Sequence, residues 1–130
     1  MLWAEATATY VGYKALAEFP AVDGLLQSDY RLIKDPEKFA ESCRKVNEIF
    51  EGIGNGSLQG GDIPQTLIQV GVLERCFYVL GFRMSSAIDE ELGRDAFKEC
   101  VIKGPRDFIR TYNSLADDGR RVVDLYAGSQ

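Results

Sequence analysis

Between Phe39 and Ile53 the apolar residues fall at Phe39, Cys43, Val46, Phe50 and Ile53, at spacings of four, three, four and three. That period marks an α-helix buried along one stripe, because residues three and four apart stack on one helix face. The residues between are largely charged (Glu41, Arg44, Lys45, Glu48), so the other face reads as solvated. Asp35 suits the N-cap, Pro36 the first helical position, and Glu37 a first turn where a carboxylate complements the dipole. Gly52 is expected to end this helix. No run alternates long enough for a sheet.

The same reading extends along the chain. Leu2 to Phe19 predicts a first helix with Trp3, Ala6, Tyr10, Tyr13 and Leu16 along it, ended by Pro20. Ala21 to Leu32 reads as a short helix or a connector. Residues 52–62 hold five glycines and predict a loop, with Asp62 capping a third helix over Ile63 to Leu80. That helix is apolar nearly all round (Leu67, Ile68, Val70, Leu73, Cys76, Phe77), which is the mark of a central, most buried element. Arg83 to Ser86 read as a junction, and Ser86 to Lys103 as a fourth helix that Gly93 interrupts. Gly104-Pro105 breaks it. The last helix, Pro105 to Ala127, places Phe108, Ile109, Tyr112, Leu115 and Val122 on one face, with Gly119 beside them.

Short connections favour antiparallel neighbours. The expectation is a single all-α domain over residues 1–130, an up-down-up-down four-helix bundle with a short extra helix. Phe77 and Leu73 are the expected core anchors, each costing about 2–5 kcal/mol on truncation to alanine.

Chemistry is constrained chiefly by what is missing. The sequence has no histidine, so the commonest general base and metal ligand is absent. Cys43, Cys76 and Cys100 show no C-x-x-C spacing and read as small buried apolar residues. A Cys43–Cys76 disulfide is the pairing left open in an oxidising compartment. The net charge of -5 opposes general binding to nucleic acid or anionic membrane. The longest uncharged stretch, Ile63 to Leu73, is about half the roughly 20 residues a membrane span needs. The start of the chain shows no signal peptide, and the compartment stays open. No catalytic residue, metal or cofactor is expected, and the chain reads as a non-enzyme.

Counting an EF-hand from Glu51 puts Gly56 at the turn and Leu58 at the apolar eighth place, but Ile53 cannot ligate and Asp62 is short for the last position. A degenerate EF-hand-like or helix-binding regulatory module is therefore the second reading. The first rests on the basic face of the last helix. Lys103, Arg106, Arg110, Arg120 and Arg121 form the candidate partner-binding set, since the guanidinium fork suits acidic protein surfaces. The bland alternative pairs Asp117 with Arg121 and Arg120 with Asp124 along a solvated face. Trp3, Tyr10, Tyr13 and Phe19 suit either a core or a docking surface, and Asp89, Glu90 and Glu91 read as a solvated helix start.

The helical runs Phe39 to Phe50, Ile63 to Leu80 and Pro105 to Tyr126 together resemble the extrinsic lumenal subunits of photosystem II, of the PsbQ-like and diatom or algal four-helix-bundle type. The resemblance lies in architecture and size. It implies a non-catalytic extrinsic protein of the thylakoid lumen, docking on a larger protein assembly, the photosystem II core, and supporting oxygen evolution through protein–protein interaction.

Overall fold

The computed structural model describes residues 2–18 and 31–125, and every regular element among them is helical. In chain order these are α1 (Leu2–Glu18), α2 (Pro36–Asn55), α3 (Asp62–Leu67) running into a π-helical turn (Ile68–Leu73), α4 (Cys76–Leu92), α5 (Arg94–Lys103), α6 (Pro105–Leu115) and a 3-10 turn (Asp118–Arg120). The all-α class follows the apolar periodicity. The readings for residues 19–30 and 126–130 lie outside the described residues. No helix among the described residues is long and apolar enough to cross a membrane.

The start of α2 is as its sequence dictates: the Asp35 carboxylate accepts from the Glu37 amide at 3.0 Å, with Pro36 at the first position. Its apolar stripe is buried at Cys43, Val46, Ile49 and Phe50. Gly52 does not end it. The helix continues to Asn55 and closes on Gly56, whose φ of 79° suits glycine.

The central helix is α4, which packs along α1 and α2 and touches α5 and α6. Cys76, Phe77, Val79, Leu80, Met84 and Ile88 are all buried on it. Its crossing with α1 is unusually close. A Cβ built on Gly81 would lie 2.4 Å from the Ala6 Cα, so only glycine fits there. One turn on, the Ser85 hydroxyl donates to the Ala6 carbonyl at 3.3 Å.

The expected third helix is therefore displaced. The apolar run from Ile63 to Leu80 is split at Arg75, which takes a left-handed conformation at φ 64°. Gly71 lies against the Phe77 ring, where a Cβ would come within 2.3 Å, so the chain folds back on itself at this corner. Ile68 and Leu73 face outward before the corner, and Leu73 is 64% exposed rather than a core anchor. The expected junction at Arg83 to Ser86 is helix interior. Gly93 (φ 94°) and Gly104 (φ 101°) make the breaks on either side of α5.

The last helix stops at Leu115, short of the expected Ala127, because another set of hydrogen bonds takes the chain from there. Asn113 donates to the Val122 carbonyl at 2.7 Å and accepts from its amide at 2.8 Å. Asn47 on α2 does the same one residue out, donating to the Arg121 carbonyl and accepting from the Val123 amide, both at 2.8 Å. Two asparagine side chains thus stand in for a neighbouring strand and hold residues 121–123 extended. Cys43, Cys76 and Cys100 are free, buried thiols, with no disulfide between Cys43 and Cys76.

Candidate functional site

The end of α6 and the strapped segment after it form one wall of a groove of about 450 Å³. Phe39 on α2, the C-terminal half of α4 (Arg83, Ala87, Glu90, Glu91) and the run from Tyr112 to Arg120 line it. Each wall is fixed from beneath. Arg83 donates to the carbonyls of Ile33 (3.1 Å) and Lys34 (2.8 Å), tying α4 to the lead-in of α2. The Tyr112 hydroxyl donates to the Arg120 carbonyl at 2.9 Å, so the 3-10 turn is anchored to α6.

The Phe39 ring carries two cations. The Arg83 and Arg120 guanidinium carbons lie 5.3 and 5.5 Å from its centroid, within cation–π range. Both donate to backbone carbonyls, Arg83 to Ile33 and Lys34 and Arg120 to Gly119 at 3.0 Å. Among the described residues neither forms an ion pair with a carboxylate. The same groove holds Glu90, Glu91 and Asp117. Glu90 accepts from the Ser86 hydroxyl at 3.0 Å, and none of the three is ion-paired among the described residues. Charges of both signs therefore line one cavity without neutralising each other. Tyr112 at its floor is pushed up to about 12, first by burial.

The five basic residues read from the sequence do not share one helix face. Lys103 closes α5 and pairs with Glu99 at 2.7 Å. Arg106 is half-buried in the first turn of α6. Arg110 reaches Asp124 at 3.3 Å. Arg121 pairs with Asp118 at 2.6 Å and donates to the Asn113 carbonyl. Arg120 alone of the five lines the groove. The expected pairs Asp117–Arg121 and Arg120–Asp124 assumed helical spacing, which the chain leaves at Ala116 (ψ 147°). The local spacing puts Phe39 on a core stripe and Arg83 at a junction, and nothing in it marks them as neighbours of Arg120.

Asp89 is no solvated helix start. It sits in the last turn of α4 with its side chain 8% exposed, gripped by Arg94 through two bonds of 2.8 Å and accepting from the Tyr10 hydroxyl. This triad ties α1 across the Gly93 break. Arg94 holds the Asp89 carboxyl below the usual range, against the opposing effect of burial.

The family described as "Putative zinc dependent peptidase (DUF5700)" has a model that matches residues 1–119, and the chain belongs to that family. No curated protein and no solved structure matches the chain. Membership overturns the resemblance to photosystem II extrinsic subunits, which rested on helical architecture that unrelated bundles share. It also overturns what followed from that resemblance: a non-catalytic docking subunit, oxygen evolution, the thylakoid lumen, and the expectation of a non-enzyme. The calcium or helix-binding alternative gains nothing from it.

The residues present do not fit a catalytic zinc. Such a site takes three side-chain ligands, most often histidines with a carboxylate or thiolate. Histidine is absent from the sequence. The three thiols are buried, and burial pushes Cys43 and Cys76 above the usual thiol range, away from the thiolate that binds metal. Among the described residues no three His, Cys, Asp or Glu side chains come close enough to share an ion.

Proposed function

We propose that, for this member of a peptidase family, the helical body serves peptidase function by holding peptide in the Phe39–Arg83–Arg120 groove. The observation that carries this reading is a cavity of about 450 Å³ lined by apolar side chains (Phe39, Ala87, Leu115) and by charges of both signs that form no ion pair among the described residues. Pockets of a few hundred Å³ with such a lining and a few placed polar groups suit compact organic ligands, and a short peptide is one. The charge pattern favours an amphoteric ligand over a polyanion or a plain hydrocarbon. No step of hydrolysis is assigned to these residues, since they do not compose the metal site that the family description implies.

Amide-resolved NMR with a tryptic digest of casein tests the reading. Binding should shift the amides of Phe39, Ala87, Tyr112 and Leu115 and leave those of Ile102 and Gly54 unmoved. If millimolar peptide leaves the groove amides unmoved, the reading is wrong.

A further inference from the structure

We infer that the groove selects short peptides with both ends free, taking the terminal carboxylate at Arg83 and Arg120 and the terminal ammonium at the carboxylates of Glu90, Glu91 and Asp117. This rests on the peptide-binding reading and names the ligand within it. Arg120 keeps most of its donors available, because it donates through a single nitrogen to the Gly119 carbonyl at 3.0 Å. Arg83 is fixed through two of its nitrogens, which holds its position without neutralising it. A guanidinium beside an aromatic face, unpaired and partly desolvated, is a strong receptor for a carboxylate. The acidic side is the counterpart: Glu90 and Glu91 lie in the last turn of α4, and Asp117 immediately precedes the turn that carries Arg120. These anions and cations line one cavity but form no ion pair with each other, so a ligand lying along it can meet both. A molecule with an ammonium at one end, a carboxylate at the other and small apolar groups between has that form. A single amino acid carries the two charges but little to lay along Phe39, Ala87 and Leu115.

Calorimetry with the full chain tests this with five probes: trialanine, its N-acetylated form, its C-terminal amide, the form blocked at both ends, and alanine. Free trialanine should bind at least tenfold tighter than either singly blocked form and than alanine. Arg120→Gln should erase the preference for a free carboxylate, and Arg120→Lys should restore part of it. Glu90→Gln with Glu91→Gln should erase the preference for a free ammonium. Unchanged circular dichroism melting shows that each variant is folded. Equal affinity for free and blocked peptides would overturn the selection of free ends while leaving peptide binding standing. Alanine binding as tightly as trialanine would overturn the assignment to peptides. No binding by any of the probes, with the casein digest also silent, would overturn both readings.

Discussion

Gly81→Ala adds one methyl group where α1 and α4 touch backbone to backbone. Its Cβ would meet the Ala6 Cα at 2.4 Å, the Ala6 Cβ at 2.5 Å and the Ala6 nitrogen at 3.0 Å. Carbon atoms prefer about 3.5–4.0 Å, so α1 must move out by about 1 Å. No side chain can rotate away to absorb this, because most of what is struck is main chain. The displaced contact includes Ala6 and Tyr10, both essentially sealed from solvent. Overpacking of this kind costs about 1–3 kcal/mol, and a backbone clash belongs at or above the upper end. Replacing a helical glycine by alanine returns about 1 kcal/mol. The net expectation is a loss of about 2 kcal/mol. With an unfolding entropy of about 2.1 cal/mol/K per residue, that lowers the melting temperature of this 130-residue chain by about 7 °C. Gly54→Ala is the matched control: it is also inside a helix, but its Cβ would meet nothing within 4 Å, and it should gain up to about 1 kcal/mol. Thermal and urea unfolding followed by circular dichroism measures both. Adding Ala6→Gly to Gly81→Ala should recover part of the loss, since the two sites are in contact and not additive. A Gly81→Ala protein that melts at or above the wild type would refute the close crossing and the packing of α1 derived from it.

Phe77→Ala should cost about 3–5 kcal/mol as a truncation of a sealed aromatic, whereas Leu73→Ala on the outward-facing turn should stay within about 0.5 kcal/mol; similar losses in urea titrations would contradict the corner at Arg75. Asp89 is held below the ordinary carboxylate range by Arg94, so its contribution is complete above about pH 4 and disappears as pH falls through the lower folded value. Asp89→Asn should therefore destabilise the protein at pH 7 and flatten the acid limb of a stability–pH curve; an unchanged limb would exclude the triad as its source. Because no three candidate ligands converge among the described residues, EDTA should leave the melting temperature unmoved and dialysed protein should carry far less than one zinc per chain by elemental analysis. The buried thiols should resist an aromatic disulfide reagent in native protein at pH 8 and react fully in denaturant; rapid native labelling would contradict their placement in the core.

Periodicity carried the helical class, and cap chemistry carried the start of α2 at Asp35–Pro36. Both are local: a stripe at three and four, or a carboxylate one residue before a proline, acts within a turn or two of helix. Where the helices divide depended on contacts across the fold. The run from Ile63 to Leu80 is continuous in hydrophobicity, and only the seating of Gly71 against Phe77 shows why it bends at Arg75. The end of α6 is similar. Leu115 to Tyr126 keeps an apolar spacing compatible with helix, but Asn113 and Asn47 capture residues 121–123 from two different helices. That capture moves Arg121 off the presumed helix face and carries Arg120 to Phe39. A groove built from positions 39, 83 and 120 has no signature in a window of ten or twenty residues. The hints available were single ones: two asparagines on helices, where their propensity is poor, and an arginine inside an apolar stretch.

The protonation states of the interior and of the groove point the same way. Burial disfavours the anionic forms of Cys43, Cys76 and Tyr112 at neutral pH, which removes the thiolate and phenolate as nucleophiles or metal ligands. With no histidine, no group whose ordinary pKa lies near 7 is available on a side chain to pass a proton. The groove is arranged differently: Arg83 and Arg120 flank the Phe39 ring, and Glu90, Glu91 and Asp117 line the same cavity. Charges set along a groove recognise by position, and their attraction needs no proton to move. Peptide hydrolysis is productive only when the chain to be cut is held in register. Among the described residues, this chain places charges of both signs along one groove and brings no three candidate ligands together for a metal ion.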